Sequence, residues 1–159
     1  MSIEGKRFYP GERATADQLL SLAAEYRRSA ETLLPAGRNG VPLSWAPYRL
    51  VAIHAIELYL NAYLIAAGHP HAAVRGLRHD TASRAELAML AKVDLRRRTV
   101  AHLRFLSANR EYLVTRYDPA PSSTSISQLT RLRATLNEVA EKIDKLARKE
   151  KATPRQGRA

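Results

Sequence analysis

One segment decides the fold: LVAIHAIELYLNAYLIAA, which spans Leu50 to Ala67. As a helix it carries two adjacent apolar stripes, one made of Leu50, Ile53, Leu60, Leu64 and Ala67 and the other of Val51, Leu58 and Ile65. A helix that is apolar over so much of its circumference lies at the centre of a bundle. Because His54, Glu57 and Asn61 interrupt the run, the pattern favours a buried helix over a membrane span.

Turn and capping residues divide the rest of the chain into four further helices. We predict a first helix capped by Thr15 or Asp17 and the central, second helix capped by Ser44. A short third helix starts at Thr81 or Ser83 and a fourth follows Arg96–Arg98. A fifth helix starts at Ser125 or Ser127. The breaks fall at residues 35–37, 68–80 and 118–123, where Pro, Gly and Ser are frequent. No strand pattern occurs. The sequence predicts an all-α antiparallel helical bundle of four long helices and one short one over residues 14–148, with an irregular arm at 1–13 and a basic flexible tail at 149–159.

Composition limits the possible functions. The 159 residues are enough for one domain, and the absence of cysteine excludes disulfides, thiolate nucleophiles and thiolate zinc sites. The net charge of +11 attracts polyanions, although an exposed basic run is usually only a solvated face. The first residues lack the apolar run of a signal peptide, so we predict a cytoplasmic protein without a membrane anchor.

Two charged residues interrupt apolar stripes. Glu57 follows Leu50 and Ile53 on the core face of the second helix. Arg110 falls on the core face of the fourth, whose stripe is Val100, Leu103, Leu106, Leu113 and Tyr117. Since an unpaired buried charge is costly, we predict that Glu57 and Arg110 form an ion pair between these helices. Such a pair either fixes the helix register or places Arg110 in a cleft that binds an anion.

The histidines allow several interpretations. His54 and Asn61 lie beside Glu57, where they either bond to neighbouring helices or form a polar pocket with Glu57. His79 and Asp80 stand directly before the third helix and suggest a cap and a loop anchor. His69, His71, His79 and Asp80 cluster in one loop, but their spacing matches no standard metal site. We predict no metal and no cofactor.

Three short segments together resemble a known family. They are Ala55–Leu64 followed by Gly68, Leu77-Arg78-His79-Asp80, and Tyr112–Pro119 with its Arg116-Tyr117-Asp118-Pro119 ending. In order and spacing they resemble the HEPN domain family, whose small helical bundles accompany nucleotidyltransferases and occur in toxin–antitoxin systems. The resemblance implies a bundle that is often dimeric and that contacts nucleotides or RNA. Many members are metal-independent ribonucleases with an arginine four to six positions before a histidine.

The leading functional prediction is a non-catalytic HEPN-like module that binds nucleotide or RNA as a homodimer, with a nucleotidyltransferase or toxin–antitoxin component as a possible partner. The predicted ligand-binding residues are Arg110, Arg116, Tyr117, Glu57, His54 and His79, and the Arg96–Arg98 run is predicted to face the same ligand. Arginine can hold a phosphate bidentately and tyrosine can stack on a base. The competing interpretation is that Tyr117 is a core residue and that Arg116 only faces the carbonyl end of its helix.

Two other functions stay open. The alternative is a metal-independent ribonuclease toxin that uses Arg97 and His102, whose spacing fits the family motif. Arg96–His102 and Arg49–His54 also fit, and so many arginines produce such matches by chance. His102 lies off the apolar stripe, so the sequence also allows a surface histidine without a role. The third possibility is an interaction protein whose fifth helix, with its repeat from Leu129 to Leu146, contacts a partner.

Overall fold

The computed structural model describes residues 7–120 and 126–152, without the side chains of residues 126 and 127. Within these ranges the chain forms seven α-helices: α1 Ala16–Leu33, α2 Ala46–Ala66, α3 His71–Gly76, α4 Thr81–Leu90, α5 Arg97–Ala108, α6 Glu111–Tyr117 and α7 Ile126–Ala152. Two 3-10 turns, Leu34–Ala36 and Pro42–Trp45, lie between α1 and α2. The described residues pair in extended form only at an isolated bridge between Arg38 and Val41. The predicted all-α class is confirmed.

The first two helices begin in different ways. Thr15 caps α1 as predicted: its hydroxyl accepts a bond from the Gln18 amide at 3.1 Å, and the Gln18 side chain accepts one from the Thr15 amide at 2.9 Å. This reciprocal pair satisfies two amides that the first turn leaves free. The cap predicted at Ser44 is wrong. Its hydroxyl donates to the Val41 carbonyl at 2.6 Å inside the 3-10 turn, and α2 starts only at Ala46.

Helix α2 is the centre of the bundle, as its apolar circumference predicts. Eleven of its 21 residues are buried, and α1, α4, α6 and α7 all pack against it. The segment Pro42–Ala66 is long and apolar enough to cross a membrane by length and composition, with a mean hydropathy of 1.3. In this structure 56% of the most apolar 18-residue stretch of this segment is buried by protein. The core helix of a bundle shows the same pattern.

The segment between α2 and α4 differs from the prediction. Residues 71–76 form the short helix α3 inside the predicted loop. Asp80 caps α4, which confirms the cap predicted at His79-Asp80. Its carboxylate accepts a hydrogen bond from the Ser83 backbone amide at 3.0 Å. The buried face of α4 is made of Thr81, Arg84, Ala85 and Ala88. Leu90, the last residue of α4, is 79% exposed.

The predicted fourth helix is two helices. It breaks after Ala108, where Asn109 ends α5 and Arg110 adopts a left-handed conformation with φ 50° and ψ 41°. A left-handed residue cannot continue a right-handed helix, so the helical phase changes at this point. Val100, Leu103 and Leu106 are buried as predicted, whereas Leu113 and Tyr117 after the break are exposed.

Helix α7 supplies the second apolar surface of the core. Its repeat is confirmed for five residues, because Leu129, Leu132, Leu136, Val139 and Ile143 are all buried. The predicted caps Ser125 and Ser127 lie outside the described residues and side chains. The helix continues to Ala152, four residues beyond the predicted end of the bundle, and residues 153–159 are outside the described part of the chain.

Candidate functional site

A buried carboxylate on α2 is the starting point of the candidate site. Glu57 is only 3% exposed, and its two oxygens lie 3.1 and 3.2 Å from Nδ1 of His79. His54, one turn earlier on α2, has its Nδ1 at 3.9 Å from Glu57 Oε2. When Glu57 is ionised its carboxylate can only accept, so His79 then donates through Nδ1 and presents Nε2 on the opposite side of the ring.

The predicted Glu57–Arg110 ion pair is wrong. Arg110 is exposed at the start of α6, and it forms no ion pair with any residue in the described ranges. The prediction assumed one continuous helical phase from Leu103 to Tyr117. The left-handed turn at Arg110 ends that phase and directs this side chain to solvent instead of toward α2.

The buried cation near Glu57 is Arg84 of α4. Arg84 is 2% exposed, and its Nε donates to Asn61 Oδ1 at 2.7 Å. Its two terminal nitrogens donate to the carbonyls of Asp80 and Val74 at 3.3 and 3.4 Å. Burial raises the pKa of the Glu57 carboxyl, while the charge of Arg84 and then His79 lower the same pKa. Arg84 therefore provides the largest compensation for the buried negative charge.

The start of α4 holds His79 in place. Arg78, with φ 50°, turns the chain directly before it. Asp80, directly after it, also accepts a bond from the Ser107 hydroxyl of α5 at 3.1 Å. These bonds to Asp80 keep its pKa below the ordinary value, with the Ser83 hydroxyl as the first cause. The loop that carries His79 is thus fixed to α5 on one side and to Glu57 on the other.

A column of flat side chains continues from His79 toward solvent. The rings of His79 and Tyr112 stack with their centroids 3.4 Å apart and an interplanar angle of 17°. The guanidinium carbon of Arg116 lies 4.9 Å from the Tyr112 ring centroid and 5.3 Å from that of Tyr117, and Arg116 also donates to the Tyr112 hydroxyl. Such contacts orient a guanidinium while leaving its N–H groups available to a ligand.

Helix α6, which carries this column, is anchored to α2. Arg49 of α2 pairs with Glu111 of α6, and both side chains are only 13% exposed. Inside α6, Thr115 donates to the Glu111 carbonyl at 2.9 Å. A partly buried ion pair of this kind holds a short helix that would be marginal alone. Tyr112 and Arg116 are therefore presented on a fixed support.

His54 completes the cluster on the side of α1. Its ring meets Tyr26 edge to face, with centroids 4.6 Å apart, and about a third of the side chain is exposed. Burial lowers the pKa of His54, and the charges of His79 and Arg116 lower it further. Burial beside Glu57 and Tyr26 thus favours the neutral form of the His54 imidazole.

The structure brings together five of the six predicted ligand-binding residues: His54, Glu57, His79, Arg116 and Tyr117. Arg110 begins the same short helix α6 but does not contact Glu57. We use the name α6 cluster for His79, Tyr112, Arg116 and Tyr117 from here on. Tyr117 is 70% exposed, so the interpretation of this residue as part of the core is wrong.

The alternative pair, Arg97 and His102, has a different environment. Arg97 is exposed in the first turn of α5. His102 is 6% exposed, and its Nδ1 lies 2.8 Å from the Thr135 hydroxyl of α7. Burial lowers the pKa of His102 to about 4, with a smaller contribution from Arg131. The interpretation of His102 as a surface histidine is therefore wrong, and its ring belongs to the α5–α7 interface.

Sequence reasoning missed two residues of the site. Arg84 was recognisable from the small residues around it, because Thr81, Ala85 and Ala88 share its helical face and leave room for a long side chain. Tyr112 carried no signal, since its role depends on the position of His79, which is distant in the sequence. No group of three or more potential metal-ligating side chains occurs among residues 7–120 and 126–152.

The sequence matches no protein-family model and no curated protein, and the structure matches no solved structure. The geometry of the cluster is accordingly the basis for the functional assignment. That geometry combines an exposed guanidinium, an exposed aromatic ring and an imidazole oriented by a buried carboxylate.

Proposed function

We propose that the protein is a non-catalytic binding module for a nucleotide or RNA and that the α6 cluster is its site. One observation carries this proposal: the Arg116 guanidinium contacts two tyrosine rings, at 4.9 Å from the Tyr112 centroid and 5.3 Å from that of Tyr117, and Tyr117 is 70% exposed. A phosphate needs a fixed cationic donor, and a base needs an open aromatic face. Both lie side by side at the end of α6.

Three residues of the α6 cluster contact the ligand in this proposal. Arg116 binds the phosphate, and Tyr117 contacts the base. His79 offers an N–H or a nitrogen acceptor beside them, in an orientation that Glu57 fixes through Nδ1. Arg84 is buried, compensates the charge of Glu57 from the protein interior and does not contact the ligand. The net charge of +11 attracts the polyanion over a longer range.

Replacing Arg116 with alanine weakens RNA binding and reduces its salt dependence. Each phosphate contact on a single strand contributes about −0.7 to the slope of log K against log[salt], so the variant loses roughly that amount. Fluorescence anisotropy with a labelled RNA, titrated at several salt concentrations, measures both quantities. The effect on affinity is largest at low salt.

The matched control is Arg28→Ala, which removes the same charge. Arg28 is exposed on α1, where it has only a weak ion pair with Glu25 at 3.9 Å. We expect this variant to bind RNA like the unmodified protein. Equal losses in both variants would mean that net charge alone drives binding, and the absence of binding at low salt would refute the proposed function.

The wider assignment is part of the same proposal. We propose that the chain is a HEPN-like antiparallel bundle of four long helices, in which α5 and α6 together take the place of one. In this proposal it forms a cytoplasmic homodimer. Its partner is a nucleotidyltransferase or toxin–antitoxin component. The central apolar helix and the all-helical fold support this. Light scattering that gives one chain per particle would contradict the dimer, and failure to co-purify with such a partner would count against the partnership.

The alternative, a ribonuclease that uses Arg97 and His102, has less support. A histidine that is buried against Thr135, with a pKa of about 4, reaches neither solvent nor substrate without local opening. Incubation of RNA with the protein and with His102→Ala tests it. Cleavage by the unmodified protein that the variant lacks would establish the alternative.

A further inference from the structure

Helix α6 presents an exposed surface that extends beyond the contacts proposed for Arg116 and Tyr117. Leu113 and Tyr117 stand at positions i and i+4, on the same side of α6, and Arg110 is the exposed left-handed residue directly before the helix. All three are exposed, with Leu113 at 44% and Tyr117 at 70%. The face is thus cationic at its beginning, apolar in the middle and aromatic at its end.

The length of this face indicates the size of the ligand. Helix α6 is seven residues long, which corresponds to a helical rise of about 10 Å. In a stacked strand, nucleotides follow one another at about 3.4 Å, so the face is roughly as long as three nucleotides. A ligand that reaches Arg110, Arg116 and Tyr117 together is therefore a strand rather than a mononucleotide.

The aromatic end of the face indicates the state of the bases. Arg116 packs over the Tyr117 ring, and most of that ring is open to solvent. A base can stack on an exposed tyrosine only when it is not already stacked within a duplex, which is why exposed aromatic side chains select single strands. Leu113 provides an adjacent apolar surface for the neighbouring base or sugar.

We infer that α6 is a platform for a short single-stranded nucleic acid: an unpaired base stacks on Tyr117, and successive phosphates contact Arg116 and Arg110. The inference rests on the proposed function and narrows its ligand to an unpaired strand of at least two nucleotides. It adds Arg110, as a phosphate contact, and Leu113, as an apolar contact to the neighbouring base or sugar, to the ligand-binding surface. The Arg49–Glu111 pair keeps this platform in a fixed orientation.

Three probes test the ligand class by fluorescence anisotropy at about 50 mM salt. They are a labelled unstructured RNA of about twelve nucleotides, the same RNA annealed to its complement, and AMP as a competitor. We expect the single strand to bind at least about tenfold more tightly than the duplex, and AMP to compete only weakly. Equal binding of the duplex, or full competition by AMP at the concentration of the RNA strand, would overturn the inference.

Variants at the aromatic end test the stacking contact. Tyr117→Ala weakens binding of the single strand about 5- to 100-fold, and Tyr117→Phe, which keeps the ring, restores most of it. Leu90→Ala is the control, because Leu90 is 79% exposed on α4 and lies outside this face. RNA binding that Arg116→Ala weakens but Tyr117→Ala does not change would overturn the stacking inference and leave the proposed function intact. Binding of neither RNA probe would overturn both.

Discussion

Replacing Arg84 with methionine lowers the free energy of unfolding by about 3–5 kcal/mol at pH 7. The substitution leaves the Glu57 carboxylate buried without its main compensating charge. It also removes the donor to Asn61 Oδ1 and to the carbonyls of Asp80 and Val74. Each buried acceptor left without a partner adds to the loss. Urea denaturation followed by circular dichroism measures the effect.

Two further variants separate this cause from a general effect of losing an arginine. Arg104→Met removes a side chain that is 61% exposed and whose ion pair with Glu86 is long, at 3.9 Å. We therefore expect the free energy of unfolding to change by no more than about 0.5 kcal/mol. The double variant Arg84→Met with Glu57→Leu removes both charges and recovers part of the stability lost in Arg84→Met. Similar losses in Arg84→Met and Arg104→Met, with no recovery in the double variant, would show that Glu57 does not depend on Arg84.

The buried His102 makes the protein less stable as the pH falls from about 6.5 to 4. The pKa of His102 is about 4 in the folded protein, against 6.5 for an unperturbed histidine. Between these values the unfolded chain takes up a proton that the folded protein does not, so unfolding becomes more favourable. The contribution of His102 is fully present above pH 6.5 and is lost progressively toward pH 4. Between pH 7.5 and 4.5 the loss amounts to about 2–3 kcal/mol.

The variant His102→Gln isolates this contribution, because glutamine keeps a polar atom near Thr135 but does not titrate. Its unfolding free energy should fall by about 2–3 kcal/mol less than that of the unmodified protein between pH 7.5 and 4.5. His69→Gln retains His102 and should follow the unmodified protein. Parallel pH profiles for the unmodified protein and His102→Gln would show that the imidazole is accessible and titrates normally, which would also revive the Arg97–His102 alternative.

The sequence predicts the parts of the fold that depend on long, uninterrupted periodicity. Helix α2 is apolar on nearly every side and α7 has an unbroken repeat from Leu129 to Ile143, so tertiary packing and local pattern agree. The error at α5 and α6 has a local cause. A single left-handed residue, Arg110, changes the phase, and nothing in the composition of Ala108-Asn109-Arg110 is as clear a breaker as proline or glycine.

The candidate site was predictable where its residues share an element. His54 and Glu57 are three positions apart on α2, and His79 stands directly before the capping Asp80. The partner of Glu57 was not predictable from stripes alone. Arg110 and Arg84 both occupy apolar helical patterns, and only the packing of α4 against α2 shows which of them is buried. Tyr112 joins His79 to Arg116 through a contact between distant segments.

Binding at the α6 cluster is the claim on which the functional account depends. The most direct test is an NMR titration of the isotope-labelled protein with the unlabelled single-stranded RNA at low salt. The account predicts that resonances of His79, Tyr112, Arg116 and Tyr117 shift in a saturable manner, while those of Arg96–Arg98 and of the basic end of α7 change little. Shifts confined to Arg96–Arg98 and α7, with the α6 cluster unchanged at saturation, would contradict it.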